Sequence, residues 1–64
     1  MLKVNGEDAD VAGQTVADYL SSAGFNPARV VVELNESIVP KARYAETVLR
    51  DGDRVEVVCF MGGG

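Results

Sequence analysis

"GQTVADYLSSAGFNP", residues 13–27, is the stretch with a sustained helical pattern. Val16, Tyr19, Leu20 and Ala23 recur at i, i+3, i+4 and i+7, which puts them on one face of a helix. Thr15 is placed to cap the amide of Asp18, and Asp18 brings negative charge to the positive end of the helix. Gly24 stands where a left-handed C-terminal cap is wanted, and Pro27 forbids continuation. No second stretch reads as a substantial helix. A ferredoxin-like arrangement needs two, so the expected fold is α+β: one main helix packed across a mixed sheet of four or five strands.

The strands are read outward from that helix. In "MLKVNGEDADVA", Leu2 and Val4 alternate with Lys3 and Asn5, the period of a half-buried strand. Asn5-Gly6 is a strong hairpin signal, because both residues tolerate positive φ. A second, weaker strand is expected near residues 7–12, and Asp8 and Asp10 mark it as an edge. After the helix, "ARVVVELNES" gives a third strand with Val30, Val32 and Leu34 on one side and Val31 and Glu33 on the other. A short apolar step, Ile38-Val39, follows. Pro40 then opens a single helical turn over residues 41–46. "RDGD" is a turn around Gly52, and residues 54–60 form the last strand.

Composition narrows the function. The 64 residues make one small domain, carrying ten acidic against six basic residues for a net charge of −4. A domain of this size buries only about 60% of its unfolded surface, so its core must be compact. Nucleic acid and anionic membranes attract clustered Lys and Arg, and there is no such cluster; neither is expected as a partner. The apolar runs are too short to span a bilayer, and "MLKVNGEDAD" turns polar at once, unlike a signal peptide. One cysteine and no histidine leave no internal disulfide and no structural zinc set. The lone thiol suits a reducing, cytoplasmic location.

Side-chain catalysis is poorly provided for, since histidine, the commonest general base, is missing. Asp51 and Asp53 around Gly52 fall short of a calcium loop and read as a hairpin turn. Cys59 falls on the same face as Val55 and Val57 and is expected to be a small core residue. Glu56 is costly to bury without a partner, so its face should be the open one, exposing Val58 and Phe60 together. Val31 joins them if the third strand pairs with the last. Val31, Glu56, Val58 and Phe60 are therefore the candidate docking surface for another protein. Beyond them the chain runs into Gly62, Gly63 and Gly64, either an ordinary loose end or a working tail. The domain is taken as residues 1–61 and the tail as residues 62–64.

These pieces together resemble the small ubiquitin-like sulfur carriers of thiamine biosynthesis, the ThiS family. The matching stretches are the "NG" hairpin, "AGQTVADYL", "VPKARY", "DGDRVEVV" and the Gly-Gly end, in this order over essentially the whole chain. The resemblance implies a β-grasp fold, with the first and last strands side by side and parallel at the sheet centre. It implies that the Gly64 carboxylate is activated with ATP as an acyl-adenylate by an E1-like enzyme of the ThiF type. Sulfur from cysteine, through a desulfurase, would then make a terminal thiocarboxylate for a thiazole synthase of the ThiG type. Gly62 and Gly63 would thread the partner's active site. The chain itself would be a carrier, monomeric when alone, with no bound cofactor, and not an enzyme. The molybdopterin-synthase small subunit, a protein modifier and a plain binding domain are the alternatives.

Overall fold

The computed structural model describes residues 1–60. Five strands form one sheet: β1 (Leu2–Val4), β2 (Glu7–Ala9), β3 (Val30–Leu34), β4 (Ser37–Val39) and β5 (Arg54–Cys59), in the order β2-β1-β5-β3-β4. One helix, α1 (Val16–Ala23), packs on a single face, and two 3₁₀ turns, Pro27–Arg29 and Lys41–Arg43, complete the elements among the described residues. β1 and β5 are parallel, while the β1–β2, β3–β4 and β3–β5 pairs are antiparallel. This is the single-helix mixed sheet expected from the sequence, with the parallel first and last strands of a β-grasp.

The helix signals act as read. Thr15 Oγ1 accepts the Asp18 N–H at 3.1 Å, and Gly24 ends the helix at φ 84° with its N–H turned back to the last carbonyls. Val16 and Leu20 are buried, but Tyr19 is only half-buried and Ala23 is exposed. The buried face is therefore narrower than the i+7 pattern suggests: it ends at Leu20, and Phe25 beyond the Gly24 cap packs against the core where Ala23 does not. The second strand stops at Ala9, not residue 12, and residues 41–46 contain a 3₁₀ turn over Lys41–Arg43 only. β2 is an edge strand with β1 as its sole neighbour, so nothing beyond Ala9 pairs to extend it.

The core lies between α1 and the inner face of the sheet. Leu2, Val4, Val16, Leu20, Val30, Val32, Val39, Tyr44, Leu49, Val55 and Val57 are all buried there. Lys41 pins the connection between α1 and β3: its Nζ donates to the carbonyls of Pro27 at 3.0 Å and Val30 at 2.9 Å. Tyr44 packs beneath it, with the ammonium 5.9 Å from the ring centroid.

Cys59 departs from its expected place. Its thiol is exposed, although Val30, directly opposite on β3, is buried. The cause is the unequal length of the strands flanking β5. β1 pairs with β5 only at Arg54 and Val55, so past Val57 the strand has a neighbour on the β3 side alone. Alternation assigns Cys59 to the inner face, but on the β1 side it has no neighbouring strand among the described residues and is left open to solvent.

Candidate functional site: the open face of the central strand

β5 occupies the middle of the sheet and alternates burial along its length. Val55 and Val57 are buried, while Arg54, Glu56 and Val58 are exposed. The face away from α1 is therefore open. Antiparallel pairing with β3 sets Val58 directly opposite Val31 and Glu56 directly opposite Glu33. Phe60 lies one residue past β5, yet its N–H still donates to the Arg29 carbonyl at 2.8 Å, which keeps it in register with β3. Val58 is 52% exposed and Phe60 58%. Three of the residues singled out from sequence, Val31, Val58 and Phe60, thus form one apolar row, with Glu56 beside it.

The structure adds Ile38, which the sequence shows only as part of a short apolar step. It sits on β4 directly opposite Glu33 and is 67% exposed. Its neighbour Val39 takes the inward position opposite the buried Val32. In a two-residue apolar step only one side chain can face the core, and the pairing register decides which.

Two asparagines at positive φ hold the site strand in place. Asn5, at φ 52°, accepts the Val57 N–H through its side chain at 2.8 Å. Asn35, at φ 51°, accepts the Arg54 N–H at 3.0 Å and donates to Asp53 Oδ1 at 3.0 Å. Asp53 in turn accepts the Arg50 N–H through its other oxygen at 2.9 Å. Asp53 thus closes the Gly52 turn, as expected of "DGD", but the turn does not join a hairpin: among the described residues no strand directly precedes it, and β5 pairs with β1 and β3. Positive φ is tolerated by Asn better than by most residues, and its amide reaches nearby backbone.

Charges on the open face are unevenly paired. Lys3 Nζ bonds Asp8 Oδ1 at 2.8 Å, and that hydrogen bond, aided by the lysine charge, holds the Asp8 carboxyl below the usual aspartate range. Glu33 and Glu56 face each other across the β3–β5 ladder. A surface concavity of about 410 Å³ lies elsewhere: it is lined by residues including Ile38, Pro40, Arg43 and Thr47 at the β4 edge, two strands from β5. It gathers a single charged side chain and no acid–base pair, so the geometry offers no catalytic centre there. Gly62, Gly63 and Gly64 lie outside the described residues. Among the described residues no helix is long and apolar enough to cross a membrane.

Comparison with known proteins agrees with this geometry. The model of the ThiS family matches residues 2–64. The sulfur carrier protein ThiS of Bacillus subtilis is 41% identical over 66 residues, covering 100% of both chains. A crystal structure of the thiamine biosynthesis protein ThiS from Geobacter metallireducens superimposes with a TM-score of 0.79 at 37% identity, covering 98% of this chain and 97% of that one. A thiazole synthase of Paramagnetospirillum magneticum is 44% identical over 64 residues, which is 98% of this chain but only 20% of that protein. This chain therefore spans one-fifth of that relative's length. With the fold, the register of its central strand and these relatives in agreement, the chain belongs to the ThiS family.

Proposed function

We propose that this chain is a sulfur carrier whose working group is the main-chain carboxylate of Gly64. The observation that carries the reading is the apolar row on the open face: half-buried Val31 on β3, exposed Val58 opposite it on the central strand, and exposed Phe60 just past that strand, four residues before Gly64. The four residues that follow Phe60 span at most about 14 Å when extended. An enzyme acting on Gly64 must therefore rest against the domain near Phe60. Gly62 and Gly63, without β-carbons, suit a narrow channel into that enzyme.

The chemistry follows from the weakness of a carboxylate as an electrophile. An E1-like enzyme of the ThiF type joins the Gly64 carboxylate to the α-phosphorus of ATP and releases pyrophosphate. The acyl-adenylate then loses AMP to a persulfide sulfur, supplied from cysteine through a desulfurase, and a second thiol cleaves the resulting acyl disulfide, taking the carrier sulfur of the persulfide into a new disulfide. The resulting thiocarboxylate is a strong nucleophile that a ThiG-type thiazole synthase takes up to build the thiazole ring. In these steps the chain is a co-substrate, and the catalytic groups belong to its partners. The thiazole route is favoured over the molybdopterin route because a segment like this chain recurs within a thiazole synthase.

Deleting Gly64 tests the reading. The shortened chain should keep the far-ultraviolet dichroism and melting temperature of the full chain, since no core residue is touched. It should lose all activating-enzyme-dependent exchange of pyrophosphate into ATP. Exchange at the full rate without Gly64 would rule out this carboxylate as the activated group.

A further inference from the structure

We propose that Asn5 is a site of spontaneous covalent modification, deamidation, which its contact with Val57 holds back and whose product gives up that contact. Asparagine deamidates when the backbone nitrogen of the next residue attacks its side-chain carbonyl carbon, so the following residue governs the rate. Asn5 is followed by Gly6, which has no side chain to hinder the approach. Both residues are exposed at the β1–β2 turn, at φ 52° and 83°, and no heavy atom lies within 4 Å of where a Gly6 β-carbon would stand. Among the described residues the Gly6 N–H enters no hydrogen bond.

The other asparagines, Asn26 and Asn35, provide the contrast. Asn26 precedes Pro27, whose nitrogen carries no hydrogen. Asn35 shares the backbone conformation of Asn5, at φ 51°, and also accepts a β5 backbone N–H through its side chain. Glu36, however, sets a β-carbon beside the attacking nitrogen. Asn5 and Asn35 therefore differ chiefly in the residue that follows.

The reaction needs only water and a solvent base. The Gly6 nitrogen gives up its proton and bonds to Asn5 Cγ; the Cγ–Nδ2 bond breaks and ammonia leaves. Water then adds to either carbonyl of the five-membered imide and breaks one ring C–N bond, giving aspartate or isoaspartate. Nothing is oxidised or reduced. The fold gates the first step: Asn5 Oδ1 accepts the Val57 N–H at 2.8 Å and Nδ2 donates to the Val57 carbonyl at 3.4 Å, so the amide must release β5 before it closes on Gly6. Either product lacks the Nδ2 donor and sets a carboxylate oxygen toward the Val57 carbonyl. Isoaspartate also adds a backbone atom to a turn whose register pairs Val4 with Glu7.

The test holds the full chain in mildly alkaline buffer, folded and in urea. Intact mass follows the small gain as an amide becomes a carboxyl, and peptide fragmentation locates it. Conversion should fall first on Asn5, ahead of Asn35 and Asn26. It should run about 5- to 30-fold slower in the folded chain, the factor set by opening two modest hydrogen bonds. The converted chain, separated by its added charge, should melt roughly 4–8 °C lower and exchange its Val57 N–H at least about 5-fold faster. Conversion first at Asn35 or Asn26, or none at Asn5 in either condition, would overturn the proposal. Equal rates folded and unfolded, or an unchanged melt and Val57 exchange after conversion, would overturn it as well.

Discussion

Asn5 takes the place beside Val57 that a further residue of β1 would occupy. Its Oδ1 accepts the Val57 N–H at 2.8 Å and its Nδ2 donates to the Val57 carbonyl at 3.4 Å, while its own N–H donates to Val55 at 2.8 Å. One hairpin residue thereby closes the parallel β1–β5 ladder on the strand that leads to the chain end. The geometry of the proposed docking surface depends on this contact, because β5 beyond Val55 has no β1 ladder partner.

Replacing Asn5 should therefore be costly. Alanine removes both side-chain bonds to Val57 and must also adopt φ 52°, so N5A is expected to lose about 2–3 kcal/mol. Glycine accepts that backbone freely and should lose only about 1–2 kcal/mol. Urea denaturation of both variants checks the order. Equal losses would mean that the hydrogen bonds carry the whole effect and the backbone conformation none.

The surface and core residues of the sheet should separate cleanly under mutation. Leu20 is fully buried, and L20A should cost about 2–5 kcal/mol, enough to unfold much of so small a domain. V58A and F60A remove exposed groups and should change stability by no more than about 0.5 kcal/mol. Their effect should appear in binding to the activating enzyme instead. Losses in V58A or F60A as large as in L20A would show that these side chains serve the fold.

Acid stability carries the mark of the Lys3–Asp8 pair. The Asp8 carboxyl titrates below its unfolded value, so its contribution is complete above the ordinary aspartate range near about 3.9 and is lost as pH falls through the lowered folded value. D8N should flatten the acid limb of the stability curve in that window and change little at neutral pH, where an exposed pair is weak. Thermal melts between about pH 2 and 7 provide the check. An unchanged acid limb in D8N would place the lost stability on other carboxylates.

The parts of the fold that were legible in sequence are those set by local chemistry. Thr15, Gly24, Asn5-Gly6 and Gly52 each act through their own backbone neighbourhood, and each appears in the structure as its residue type suggests. The open-face row was also legible, because the requirement that Glu33 and Glu56 reach water fixes the faces of two strands at once. What escaped depends on neighbours remote in sequence. Cys59 alternates correctly with Val57 but lies beyond the stretch of β5 that β1 flanks. Ala23 fits the helical period but is exposed, while Phe25 beyond the Gly24 cap packs against the core. Ile38 and Val39 are chemically alike, and only pairing with β3 turns one outward. The parallel contact of β1 with β5 joins residues about fifty positions apart and came from family resemblance, not from periodicity.

In the proposed carrier reading, chemistry happens at the carboxylate of Gly64. The most direct measurement is the intact mass of the full chain after incubation with ATP, a ThiF-type enzyme and a cysteine-derived sulfur source, followed by fragmentation from the C-terminal end. The account predicts one oxygen replaced by sulfur, located in the last residue. An unchanged mass under conditions where the enzymes act on a known carrier, or a sulfur located on Cys59, would contradict it.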